Sequence, residues 1–351
     1  MSPSLCSLTF MSRSERPPKE FSFLPEWFIE LISEFLLFCL KRNATHSLCA
    51  LLKVGNLKRL TPITISCSSF DITNTPAHCI PPLVNFTLFI ICHAHFFRNP
   101  YLVAKYVEIL FYCDPVICGH SNHFYDAAVS HVLTRTHLVS SLIKFYNDVE
   151  TTGSSNEFYD KFSIRYNIAT IFITMWKGGC LKNDFFTESE KNPQNFVKFT
   201  NRIINDMSFL LEESLDGLKR IHELEEILSG NTSSEDASSH TQELRTRGHQ
   251  VVSYMTLANQ TVILLSNLTS EIKNPFLQPE IIGKLAVMLD FNLVQLCGPK
   301  CNELKVRNAE KYGWRPKNLL NNLITIYLQL DADPMIGSQA VVTDENKYGR
   351  L

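Results

Sequence analysis

The sequence predicts an all-α protein, an elongated armadillo-like helical solenoid with an irregular N-terminal segment. Apolar residues recur at three- and four-residue spacing through most of residues 99–330. The breaks between these runs are polar or carry Pro and Gly, and convincing strand alternation is scarce. Glycine occurs 13 times in 351 residues, about 4% against a usual ~7%, too few for an all-β fold rich in tight turns. Three ranges follow: 1–98, irregular with one amphipathic helix near 25–40; 99–330, a helical core; and 331–351, a polar tail. No fixed period is found, so a regular tandem array is not demonstrated.

Each helix has its own signal. Within Pro25–Leu40, Trp27, Phe28, Leu31, Ile32, Phe35 and Leu36 share one face. Thr61–Pro82 is rich in Ser, Thr, Pro and Cys and has no assigned architecture; a loop, an insert or sequence foreign to the fold all fit. Asn99-Pro100 is a cap followed by a first-turn proline, ahead of Leu102, Tyr106, Val107 and Leu110. Phe124–Asp148 is a second run, ended by Thr151–Ser155; Phe158–Trp176 is a third, stopped by Gly178-Gly179. Asn192-Pro193 opens the longest run, Phe196–Leu228, with Gly217 as a candidate bend. Ser229–Ser239 is a polar, low-complexity loop. Gln242–Lys273 resumes helix, Pro279 starts another that Gly298-Pro299 closes, and Pro316 starts the last, through Leu330, after a Lys300–Arg315 connector.

Composition excludes several function classes. Hydrophobic residues at 45% and charged residues at 19% rule out disorder over the whole length. A formal charge of -2 offers no concentrated basic balance for a nucleic-acid backbone, so no nucleic-acid partner is expected. Phe28–Leu40 and Leu83–Phe97 are interrupted by polar residues and fall short of the ~20 apolar residues a membrane span needs, so no membrane partner is expected either. Met1–Phe10 does not read as a secretory signal. Eleven cysteines without paired spacing suit reduced, mostly buried thiols in cytoplasm or nucleus. The five N-x-[ST] sequons, Asn85-Phe-Thr87 and Asn267-Leu-Thr269 among them, then read as chance.

Cys92, His93, His95, Cys113, Cys118, His120 and His123 form the one tempting metal constellation. Zinc wants four N/S ligands in close pairs, whereas Cys113-x4-Cys118 is loose and the histidines follow too soon; core thiols and surface histidines are the simpler account. Cys297-Gly-Pro-Lys-Cys301 closes a helix where a redox dithiol would open one, so it reads as a C-terminal break with two packed thiols. Glu212-Glu213, Glu225-Glu226 and Asp331/Asp333 read as solvated faces. No G-x-S-x-G, phosphate-cradling glycine loop or H-E-x-x-H occurs. No catalytic, cofactor-binding or metal residue is assigned.

Ordered blocks carry a resemblance beyond this chemistry. They are Asn99-Pro-Tyr-Leu-Val-Ala-Lys-Tyr-Val-Glu-Ile-Leu110, Phe158-Tyr-Asp-Lys-Phe-Ser-Ile-Arg-Tyr-Asn-Ile168, Phe209-Leu-Leu-Glu-Glu-Ser-Leu215 and Pro275-Phe-Leu-Gln-Pro-Glu-Ile-Ile282. The most specific is Phe291-Asn-Leu-Val-Gln-Leu-Cys-Gly-Pro-Lys300, continuing into Leu304-Lys-Val306 and Trp314-Arg-Pro-Lys317. Together they resemble the core region of the ubiquitin conjugation factor E-four family, the U-box chain-elongating ubiquitin ligases. The resemblance runs from about Asn99 to Leu330, with Glu26–Leu40 as a further piece.

The resemblance implies a helical core that holds partners while a C-terminal U-box recruits a ubiquitin-charged conjugating enzyme. The U-box positions the thioester for attack by a lysine, which is catalysis by proximity and orientation. Ubiquitin chains on already marked substrates would be lengthened and passed to an AAA-type segregase, proteasome shuttle proteins and the proteasome, including in endoplasmic-reticulum quality control. The sequence reaches Leu351 without a U-box, and Gly337–Leu351 resembles the start of a linker. The expectation is therefore a core that does not itself bring in conjugating enzyme, has no cofactor, and offers no residue to carry a catalytic role. The alternative is a non-enzymatic helical adaptor that binds degradation-pathway partners.

Overall fold

The three- and four-residue apolar spacing becomes helix packed on helix. The computed structural model describes residues 25–51, 80–119, 122–149, 157–230 and 234–331, and no strand occurs among them. The all-α, helical-solenoid class is thus met. The chain divides into two compact units, Met1–Phe185 and Phe186–Leu351.

In the first unit, α1 (Glu26–Leu51) lies against α3 (Pro100–Tyr112). Asn99 caps α3 by accepting from the N–H of Tyr101, and Pro100 occupies the first turn, as the sequence indicates. The hydroxyl of Tyr106 donates to the Ile29 carbonyl at 2.9 Å. Lys105 bridges Glu30 and Glu34 of α1 at 2.7 and 3.0 Å. The helix α2 (Ile80–Cys92) also packs on α3, so the expectation of one helix before residue 98 is incomplete. Pro81 and Pro82 sit in its first turn, where a missing N–H is tolerated, and Leu88, Ile90 and Ile91 are fully buried. Residues 61–79 lie outside the described residues.

Phe124–Asp148, expected as one helix, is divided. After the short α4 (Pro115–Cys118), α5 (His123–Ser130) ends at His131, whose backbone is extended. A π-turn over Thr134–Leu138 then leads into α6 (Val139–Asp148). The Thr134 hydroxyl donates back to the Ala128 carbonyl at 2.6 Å, and the Leu133 N–H donates to His131 Nδ1 at 3.1 Å. These short-range polar bonds replace helix hydrogen bonds across the break. The helix α7 (Glu157–Lys177) ends before Gly179, whose φ of +74° suits glycine. Thr151–Ser155 lies outside the described residues.

The division between units falls inside α8 (Lys182–Lys191), an element without an apolar stripe. Phe185 is fully buried on its first-unit side, edge-on to Phe172 and Trp176 at 4.7 and 5.5 Å. In the second unit, α9 (Pro193–Ile227) and α10 (Ser234–Glu271) form a long packed pair. The α10 helix includes 234–239, which the sequence reading assigned to a polar loop; 231–233 and 332–351 lie outside the described residues. The α9 helix continues through Gly217, where the glycine makes room for Val251 instead of marking a break. The helices α11 (Pro279–Cys297) and α12 (Pro316–Asp331) complete the unit, and both start at proline as expected.

Candidate functional site

Of the front thiols and imidazoles, Cys92, Cys113, Cys118 and His93 are buried, while His95 and His123 are exposed as expected. Cys92, Cys113 and Cys118 are core residues. Burial pushes the Cys92 thiol up to about 12, against a weaker opposing hydrogen bond from Ser141, and raises Cys113 as well. Thiols so shifted are not available as thiolates near neutral pH. His93 is buried, not a surface residue: it stacks against Phe89 and Phe96 with ring centroids 4.4 and 5.4 Å away. Its Nδ1–H donates to the Phe89 carbonyl at 2.9 Å. Burial holds its pKa below the usual imidazole value; the Phe89 bond opposes this, while His95 and His137 add to it. Among the described residues, no group of three His, Cys, Asp or Glu side chains is placed to hold a metal ion. His120 lies outside them.

A buried carboxyl lies next to these thiols. Asp114 caps α4 by accepting from the N–H of Val116 at 2.8 Å. Burial raises its pKa, and the Val116 N–H and Thr174 offset this only in part. Asn122 donates to the Cys113 carbonyl at 2.7 Å and closes the turn. Asp114 and Asn122 are buried and bonded to nearby backbone, and Asp114 to Thr174 as well, so they hold the turn around α4.

The stretch most specific in sequence, Phe291–Lys317, forms the end of α11, a connector and the start of α12. Cys297 is exposed and Cys301 half-buried, so the pair is not packed away as expected. The connector is pinned along its length. The His222 Nδ1–H donates to the Lys305 carbonyl at 2.6 Å, and the Arg307 N–H donates to Glu225 Oε2 at 2.8 Å. Arg307 also bonds Ser229. Asn308 caps the turn Ala309–Tyr312, Gly313 takes a positive φ of 64°, and Asn259 Nδ2 donates to its carbonyl at 3.2 Å. Tyr312 and Trp314 are buried beneath.

The carboxylate pairs do not converge on a reacting centre. Glu225 holds Arg307, and Glu226 lies 3.5 Å from His222. Arg220 of α9 instead grips Glu243 of α10 through two bonds, at 2.8 and 3.0 Å, and reaches Glu223 at 2.9 Å. These contacts hold the Arg220 pKa above, and the Glu243 pKa below, their usual values. His222, Arg220 and Glu243 are not singled out by the sequence, and Glu225, expected on a solvated face, instead holds Arg307. Asp331 and Asp333 have no described side-chain placement. What the arrangement supplies is a pinned surface. The sequons fit that picture, because Thr87 and Thr269 are fully buried in helices.

Comparison with known proteins agrees with the sequence blocks. Residues 3–350 match a family described as the ubiquitin elongating factor core. The chain is 33% identical over 341 residues to ubiquitin conjugation factor E4 of Schizosaccharomyces pombe, covering 96% of the chain and 31% of that relative. It is 34% identical over 275 residues to the E4 ubiquitin-protein ligase UFD2 of Saccharomyces cerevisiae, covering 76% and 28%. Ubiquitin conjugation factor E4 A of Bos taurus is 27% identical over 337 residues, covering 88% and 28%. The chain therefore spans about three-tenths of the length of these curated relatives. With its helical units and the Phe291–Lys317 stretch in place, the chain belongs to the ubiquitin elongating factor core family.

Proposed function

We propose that the chain is the core scaffold of a ubiquitin–ubiquitin ligase, which lengthens ubiquitin chains on substrates already marked. The observation that carries this reading is the family match across residues 3–350. The packed helices support it, because they suit holding partners, and the buried Cys92 and Cys113 thiols are held protonated and do not suit forming an acyl intermediate. Chemistry would come from a U-box that orients a charged conjugating enzyme, so the core contributes proximity. Ubiquitinated substrates, an AAA-type segregase and proteasome shuttle proteins are the partners proposed with it, in proteasomal and endoplasmic-reticulum-associated degradation. Cytoplasm and nucleus are the proposed locations, consistent with seven free cysteines among the described residues.

The test is a reconstituted assay with ubiquitin, activating and conjugating enzymes, and a monoubiquitinated model substrate. The chain fused after Leu351 to a U-box should lengthen the chain on that substrate, while the U-box alone and the chain alone should not. A folded fusion that leaves the substrate at one ubiquitin overturns the ligase reading. If the chain also captures ubiquitinated substrate, that outcome leaves the adaptor.

A further inference from the structure

The connector between α11 and α12, together with the first turn of α12, concentrates positive charge. Lys300, Lys305, Arg307, Lys311, Arg315 and Lys317 stand against Glu303 and Glu310, in a protein of formal charge -2. All six basic side chains are exposed. Arg307 is committed to Glu225 and Ser229, but the other five form no ion pair with a described carboxylate. The nearest acidic residues of α9 are already engaged, Glu223 with Arg220, Glu225 with Arg307 and Glu226 with His222. Tyr312 lies where a Cβ on Gly248 of α10 would come within 3.1 Å of its ring. Exposed Arg245, one turn before Gly248, shares the α10 face that meets Tyr312.

We propose that this basic connector, with Arg245 beside it, is a docking ledge for an acidic peptide segment of a partner protein. Two features make it more than a solvated face. Its backbone is fixed at Lys305, Arg307, Lys311 and Gly313 by bonds from His222, Glu225, Asn308 and Asn259, so little ordering entropy is lost on binding. Apart from Arg307, its cations form no ion pair with a carboxylate among the described residues, so an incoming Glu or Asp breaks no described ion pair there. Peptide is favoured over single-stranded nucleic acid because the aromatic rings of the connector, Tyr312 and Trp314, are only 2% and 5% exposed. No ring on the connector is therefore open for bases to stack on. The inference concerns a partner surface and stands whether or not the ligase reading holds.

The whole chain can be tested by fluorescence anisotropy with a labelled 12-residue Gly/Ser peptide bearing six glutamates. Its six-glutamine counterpart and a 20-nucleotide single strand of mixed sequence serve as competing probes. The glutamate peptide should bind, with Kd rising at least ~10-fold between 50 and 300 mM NaCl as screening shortens the range of the field. The Lys305→Glu/Lys311→Glu/Arg315→Glu variant should weaken binding at least ~10-fold, and Lys198→Glu, on exposed α9 surface, should change it less than ~2-fold. If the charge-reversed variant melts below the parent, Lys305→Gln/Lys311→Gln/Arg315→Gln supplies the comparison. No binding of the glutamate peptide, equal binding of the glutamine peptide, or unchanged affinity in the variants overturns the proposal. Tighter binding of the oligonucleotide, lost in the same variants, overturns it in favour of nucleic acid.

Discussion

Gly217 of α9 and Val251 of α10 meet backbone to side chain: a Cβ at position 217 would overlap the Val251 methyl group. Val251 is itself buried and β-branched, so it cannot swing aside without disturbing the core. The glycine sets how closely the two longest helices approach.

Gly217→Ala should therefore destabilise the protein, although alanine is the better helix former by ~1 kcal/mol. Overpacking costs about 1–3 kcal/mol and should win, leaving a net loss of up to ~2 kcal/mol in urea unfolding. Adding Val251→Ala should recover part of it through a positive coupling term. A Gly217→Ala protein at least as stable as the parent would show that the contact relaxes freely.

The fork between Arg220 and Glu243 joins the same two helices within one turn of Gly217 along α9. The two side chains are 37% and 36% exposed, so solvent screens the pair and its worth is on the order of 0.5–1 kcal/mol. A double-mutant cycle with Arg220→Ala and Glu243→Ala should give that coupling in low salt and a smaller one in 1 M NaCl. Arg220→Lys should lose most of it, because an ammonium cannot make both bonds at once.

Tyr106 should report the attachment of α1 to α3. Its hydroxyl is buried and donates to the Ile29 carbonyl. Tyr106→Phe keeps the ring contact with Phe86 and removes that single bond, for a cost of about 1 kcal/mol. Hydrogen exchange should then speed up in residues 26–41 more than in α7, and uniform change across the unit would count against a local tie.

Asp114 gives a dependence on pH. Its pKa is raised in the folded state, mainly by burial, so its contribution to stability is fullest below the unfolded carboxyl pKa and is lost as pH rises through the folded value. Asp114→Asn keeps an acceptor for the Val116 N–H and cannot ionise. The variant should melt above the parent at pH 7, and the gap should close by pH 4. A gap of the same size at both values would place the effect elsewhere than in the charge.

Much of the helical plan was legible wherever the local signal was complete. Asn99-Pro100, Pro279 and Pro316 mark helix starts because their effect is confined to one turn. The Gly178-Gly179 stop is equally local. The α8 helix was missed because its main anchor is one aromatic, Phe185, packed against Phe172 and Trp176. The α2 helix was missed because Pro81-Pro82 reads as a breaker unless it is known to fall in a first turn. The break at His131 depends on Thr134 reaching back to Ala128, a bond that apolar periodicity does not encode. At the connector, residue order singled out Phe291–Lys317, but its supports His222 and Glu225 are about eighty positions away.

Residue order alone makes the chain helical, marks where most helices begin, and carries the family resemblance. Those properties rest on spacing within a turn and on residue order, and both are written along the chain. Only packing between distant segments sets that His93 is buried while Cys297 is exposed, that Glu225 is spent on Arg307, and that the connector's lysines form no ion pair with a carboxylate among the described residues. Burial and charge pairing are set by whichever distant segment folds against a residue, and the order of residues does not state those neighbours.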